Sequence, residues 1–220
     1  MAGRFLLHSG VNKIDYLILT STDKDHMSGA KYLLENFDVG TVITNGDKLA
    51  GGLWETIKEK DIPWEDLGDI DEVPLGGGCR LEVLRSGGDF IIKDSSLPRP
   101  LALKVTFGNE SILTGETVSD VRAFSALAGI HGDRLKSDIL YLPVLKPGDA
   151  STSFLETVSP RILVTGEIDR SSAANDPGLH KALANVAFFD TSGDGEVTVK
   201  TNGTNVSAGT YAGKREVNLK

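Results

Sequence analysis

Residues 14–29 read IDYLILTSTDKDHMSG, and the rest of the chain is organised around this stretch. Ile14 to Leu19 is apolar and rich in β-forming residues, which predicts a buried strand. Thr20-Ser21-Thr22 turns the chain. Asp23, Asp25 and His26 then arrive within four positions, and a helical pattern begins at Met27. Carboxylates and an imidazole at the carboxyl end of a strand, just ahead of a helix, are the donors that a metal site would use. The same residue types also cap helices and interact with their dipoles in ordinary strand-to-helix loops. This stretch alone leaves both readings open.

Composition sets the outer bounds. The chain has 220 residues, 40% of them hydrophobic and 25% charged, which is ordinary for a globular α/β domain with its own core. A formal net charge of -8 argues against a protein built chiefly to grip nucleic-acid backbone. It does not argue against a metal-dependent enzyme, where bound cations offset carboxylates. Cys79 is the one cysteine, so no intrachain disulfide forms, and it reads as a half-buried structural thiol. No apolar run reaches the length of a membrane span and no signal peptide is apparent, so the expectation is a soluble, cytoplasmic protein. The Asn-x-Ser/Thr triplets at Asn109, Asn202 and Asn205 are then chance occurrences.

Outward from the opening stretch, Phe5-Leu6-Leu7 reads as a short helix or edge strand. Ala30, Leu33, Leu34 and Phe37 recur at helical spacing. Val39 to Thr44 reads as a second strand closed by Asn45-Gly46, and Leu49 to Lys60 as a helix weakened at its start by Gly51-Gly52. Strand, helix, strand predicts a parallel pair. Glu65 to Gly78 is acidic and glycine-rich and reads as loop, Arg80 to Leu84 as a strand, and Gly87 to Pro100 as a second loop. Leu101 to Phe107 and Ser111 to Thr114 form a hairpin around Gly108-Asn109, followed by Gly115-Glu116 and a helix from Val118 to Ala128. Asp138 to Leu142 is a buried strand stopped by Pro143. Ser153 to Val158 is a short helix ending before Pro160, and Ile162 to Thr165 is a strand. Pro177 opens a helix running to Ala184. Ala187 to Phe189 and Val197 to Val199 read as a last hairpin. The expected organisation is one domain over residues 1–200 and a flexible tail over 201–220.

Four segments carry a resemblance: IDYLILTSTDKDHMSGA, LALKVTFGNESILTGE, SDILYLP and SFLETVSPRILVTGE. In this order they are similar to the metallo-β-lactamase superfamily, most closely to the domain attached to ComEC-type DNA-uptake proteins. The resemblance covers roughly Gly10 to Lys200. It implies an α/β fold, a four-layer αββα sandwich, with metal ligands on loops at one edge of its two sheets. Family domains begin with further strands ahead of the one at Ile14. The resemblance therefore implies a sandwich lacking its first strands, an uncovered sheet edge, and self-association through that edge.

The resemblance also implies where ligands would stand. In the first motif, Ser21 occupies the first His position and Asp23 the second, while Asp25 and His26 are kept. Glu116 occupies the position of the Asp that can bridge two metals. After Pro143 the family has His-His-Gly; this chain has Val144-Leu145-Lys146. Near the last family His the chain reads Ala174-Asn175-Asp176-Pro177. His8, His131 and His180 fall on no family motif. The candidate metal set is thus Asp23, Asp25, His26, Glu116 and Asp176. With so few imidazoles the set favours loss of the usual dinuclear site and a leftover hydrogen-bond network holding no metal; as the lesser reading, an oxygen-rich set of this kind suits Mg²⁺ or Mn²⁺ better than zinc. Three functions follow. One is a catalytically degenerate domain that has lost the usual dinuclear zinc site and serves as binder or scaffold. Another is a metal-dependent hydrolase of phosphodiesterase or nuclease type, with nucleic acid as a partner by family analogy only. The last is a ligand-binding module using the same edge without chemistry.

Overall fold

The computed structural model describes residues 2–20, 24–45, 49, 52–86, 101–115, 121–211 and 215–219. The chain divides into two compact units, one running to Asp71 and the other taking up the chain from Glu72.

The first unit opens with helix α1 (Ala2–His8), so Phe5-Leu6-Leu7 is helical. Strand β1 (Lys13–Leu19), helix α2 (Lys24–Asn36), strand β2 (Asp38–Thr44), helix α3 (Leu53–Glu59) and strand β3 (Trp64–Asp66) follow. The strands form one sheet in the order β1-β2-β3, with both pairings parallel. The parallel pair expected around α2 is therefore present. Leu34, Phe37, Val42, Leu53 and Ile57 are buried together, with Leu17 and Leu19 packed against them, so α2 and α3 cover the sheet. Burial of each such side chain contributes roughly 1.5–3 kcal/mol. Lys60 ties the helices together by donating from Nζ to the Leu34 carbonyl at the end of α2, at 2.6 Å. Among the described residues β1 is an outer strand of this sheet. It carries the exposed pair Lys13–Asp15 at 2.9 Å, charges of the kind that blunt a sheet edge.

The second unit is built on β4 (Glu72–Gly76), β5 (Cys79–Arg85), β6 (Leu101–Phe107), β7 (Glu110–Thr114), helix α4 (Val121–His131) and a 3₁₀ turn at Gly132–Leu135. It continues through β8 (Ile139–Leu145), α5 (Asp149–Val158), β9 (Ile162–Ile168), α6 (Arg170–Ala174), α7 (Pro177–Leu183), β10 (Ala187–Asp190) and α8 (Thr191–Asp194). Strands β11 (Val197–Thr201), β12 (Val206–Thr210) and β13 (Glu216–Leu219) end it. A seven-stranded sheet runs β10-β9-β8-β7-β6-β5-β4. Its β7–β10 half is parallel and its β4–β7 half is an antiparallel meander that includes the expected hairpin at Gly108-Asn109.

Alternation sorts the strand residues onto two faces. Leu113, Leu140, Leu142 and Leu163 pack with Phe124, Leu127, Phe154, Leu155 and Leu179 of the helices. Ile139, Ile162, Val164 and Phe189 pack instead against Val206 and Ala208 of the antiparallel β11–β12–β13 sheet.

Several expectations change here. The last hairpin does not form: β10 pairs in parallel with β9, and β11 pairs with β12. The segment read as a flexible tail contributes β12 and β13, because Val206, Ala208, Val217 and Leu219 alternate inward onto the large sheet. The acidic loop from Glu65 to Gly78 contains β3 and β4, two short outer strands whose polar side chains meet solvent. Pro143 does not stop its strand: β8 pairs with β9 on both sides of it, Leu142 with Thr165 and Val144 with Glu167. Pairing of β8 with β7 ends at Tyr141, so the missing Pro143 N–H leaves no gap in that ladder. Opposite Pro143 stands Gly166, where an added Cβ would lie 2.6 Å from the Pro143 carbonyl oxygen. The loop expected over Gly87 to Pro100 lies outside the described residues. No described helix is long and apolar enough to cross a membrane.

The amino ends of β7, β8 and β9 are fastened by Arg161. Its backbone N–H donates to the Asp138 carbonyl at 2.8 Å, its Nε meets Asp138 Oδ1 at 3.2 Å, and its Nη2 pairs with the buried Glu110 carboxylate. Asp138 Oδ2 in turn accepts from the Ser111 amide at 2.8 Å. Replacing Arg161 with Ala strands the Glu110 carboxylate, which is only 5% exposed. Urea unfolding of that variant is expected to show a loss on the order of 2 kcal/mol, and an unchanged midpoint would mean that the ion pair contributes nothing.

Candidate functional site

In open parallel sheets the carboxyl ends of the strands, and the loops that leave them, are where ligands gather. In the first unit that edge is set by Asn45. Its backbone N–H donates to the Leu19 carbonyl at 3.0 Å, and its side-chain amide donates to the Thr20 carbonyl at 2.9 Å. The chain thus leaves β1 along a path fixed from β2. Asp23 lies outside the described residues, as does Ser21. Asp25 and His26 lie in the first turn of α2, with side chains outside the described residues. Asn45 was read from the sequence only as a strand terminator. A short amide just past a parallel strand is the available signal for a bond to the neighbouring loop.

In the second unit, β7 leads into Gly115, whose N–H donates to the Tyr141 carbonyl at 3.0 Å. Glu116 follows directly and lies outside the described residues. Past Pro143, Val144 and Leu145 are strand, and Leu145 is 0% exposed in the core under the helices. The next carbonyl, on Lys146, accepts from the Ser151 hydroxyl at 2.5 Å and so ties the β8–α5 loop down. Asp176 is the N-cap of α7: its Oδ1 accepts from the Leu179 amide at 2.9 Å, with Pro177 in the first turn.

Two further carboxylates hold the ends of β9 and β10. Asp169 caps α6, accepting from the Ser172 hydroxyl at 2.6 Å, the Ser171 hydroxyl at 2.7 Å and both of their amides. These bonds, the Ser172 hydroxyl foremost, hold its pKa down to about 2. Asp190 is buried, which pushes its pKa up. Hydrogen bonds from the Ser192 hydroxyl and from Arg170, at 2.7 and 2.5 Å, outweigh burial and leave it below the ordinary carboxylate value. The Asp190 amide donates to Asp194 Oδ2 at 3.0 Å, and the same oxygen meets Arg215 Nη1 at 3.2 Å. The Arg215 guanidinium lies over the Phe189 ring, 4.6 Å from its centroid. This network was not singled out from the sequence, although Asp-x-Ser at both strand ends is a helix-capping pattern.

Among the described residues no three His, Cys, Asp or Glu side chains gather closely enough to share a metal ion. His131 and His180 each donate from Nε2 to a backbone carbonyl, of Arg85 at 2.8 Å and of Ala173 at 2.9 Å, so that nitrogen is committed. Of the five candidate ligands, the structure thus places Asp176 with its side chain, and it places that side chain in a helix cap. Among the described residues, concavities of about 280 and 440 Å³ lie on the β11–β13 sheet, both lined by Lys200 and Ser207.

No known family profile matches the chain, and no curated protein does. Solved structures do resemble it. One is a protein from Parabacteroides distasonis ATCC 8503 assigned to the metal-dependent hydrolases, with 16% identity, 83% of this chain and 79% of that one covered, and a TM-score of 0.48. A second is a diphosphatase from the PhnP family, with 14% identity, coverage of 84% and 72%, and a TM-score of 0.46. A third is the isothiocyanate hydrolase from Delia radicum gut bacteria, with 15% identity, coverage of 86% and 77%, and a TM-score of 0.50. The likeness to this third structure shows the fold, a mixed α/β architecture of the metallo-β-lactamase type.

Two outcomes follow from the caps. A carboxylate whose pKa is depressed on folding adds stability above its unfolded pKa, near 3.8 for Asp169, and that stability is lost as pH falls through the folded value of about 2. A carboxyl-detected NMR titration should therefore find Asp169 still ionised at pH 3, and a midpoint near 3.8 would refute the capping network. Asp176→Ala is expected to destabilise the fold by about 1 kcal/mol through the lost cap, read by thermal or urea unfolding.

Proposed function

We propose that this chain is a ComEC-type metallo-β-lactamase-fold domain that no longer carries the family's dinuclear zinc centre and is retained for binding or scaffolding. The donor set carries this reading. At the positions where the resemblance implies ligands, His26 is the single imidazole; the others hold serine, carboxylates or apolar residues. Zinc centres of this kind rely on imidazole nitrogen, and a set dominated by carboxylates does not fit them. Asp176, the implied ligand whose side chain is described, already accepts the Leu179 amide. The residues do not fit a zinc pair.

A second reading is a metal-dependent hydrolase of phosphodiesterase or nuclease type. Asp25, His26 and Glu116 would hold one oxygen-preferring ion such as Mn²⁺ or Mg²⁺. It is favoured by the shared fold with a protein named as a hydrolase and by the Asn45 clamp, which holds the chain at Thr20 where it leaves β1.

Two measurements on the purified chain separate the readings: calorimetric titration with Zn²⁺ and with Mn²⁺, and turnover of bis(p-nitrophenyl) phosphate with each ion present. The degenerate reading expects no stoichiometric zinc pair and no rate above the metal-only control. A rate that Asp25→Ala and His26→Ala each abolish would replace it with the second reading.

A further inference from the structure

We infer that the carboxyl end of β8 is sheet and core where the resemblance implies a ligand-presenting loop, so that a histidine restored at 145 does not supply a metal position. This rests on the reading above and concerns the segment 143–146.

Three observations meet at this segment. First, β8 keeps its parallel pairing past Pro143, with Val144 opposite Glu167 and Leu145 opposite Ile168. Second, inward-facing residues do not keep strict alternation across Pro143. Leu140 and Leu142 face the helices, and strict alternation would next turn residue 144 to that side; instead Leu145 is the one in the helix-side core. The partner strand breaks step at the same place, since Leu163 is in that core and Ile168 packs against it. Gly166 permits the break, because a Cβ there would strike the Pro143 carbonyl oxygen. Third, the Lys146 carbonyl is held by Ser151 from the first turns of α5.

The consequence is chemical. A side chain at 145 is fully buried, in the same core cluster as Phe154 and Leu155. A histidine there is a buried polar group without a built-in partner. The segment now anchors α5 against the sheet.

The test is the single change L145H, which restores the second histidine after Pro143, compared with the unmodified chain. The readouts are zinc content after equilibration with zinc and removal of excess, and the thermal midpoint. No added zinc together with a midpoint lowered by about 5–10 °C is expected for a chain of this size. Uptake of one additional zinc per chain, or an unchanged midpoint, would overturn the inference. Because L145H could fail to fold, L145A is measured beside it: it too should lower the midpoint, and indifference to L145A would overturn the inference by itself. Either result is independent of whether the unmodified chain turns over a phosphodiester, so failure here is distinguishable from failure of the degenerate reading.

Discussion

The pairing of β8 with β9 is the constraint on which the larger unit depends. These two strands lie inside the seven-stranded sheet and bury side chains on both faces, against helices on one side and the β11–β13 sheet on the other. A slip of one residue would send every leucine meant for the helices to the wrong face. Register is held at the amino end by Arg161, which binds Asp138 through its backbone and Glu110 and Asp138 through its guanidinium. At the carboxyl end it is held by the close approach of Pro143 and Gly166. What stands at that carboxyl end is then dictated by packing. The loop after β8 starts late, from a buried leucine.

The acidic residues of this chain show how much of a negative composition can be spent on structure. Asp169, Asp176 and Asp190 all sit at the carboxyl ends of strands or the starts of helices, where a metal ligand would be sought. Each accepts the orphan amides of a helix's first turn. Asp190 and Asp194 are further committed to Arg170 and Arg215, which fastens the β10–α8 corner to the chain leading into β13. A carboxylate so engaged is oriented, but toward backbone and guanidinium.

Fold does not by itself fix chemistry. The likeness to a solved hydrolase shows a shared architecture at 15% identity, and one architecture of this kind supports many chemistries through its loops. The loops are where this chain departs most from the pattern it resembles.

Local order was legible in the sequence. The β1–α2–β2 unit, the hairpin at Gly108-Asn109, the end of α5 before Pro160 and the start of α7 at Pro177 all follow from periodicity, turn residues and proline, which act within a few positions along the chain. Of the candidate site, the motif order and the shortage of imidazoles could be read directly, because they are matters of identity. Tertiary structure decided the rest. It gave β10 to β9 and drew the last residues into a sheet. It also carried β8 through Pro143 and turned Asp176 to the Leu179 amide. The strand pairings among these depend on partners distant in sequence, whereas the Asp176 cap is local, and a strand's own residues specify which face is apolar without naming the strand that will lie beside it.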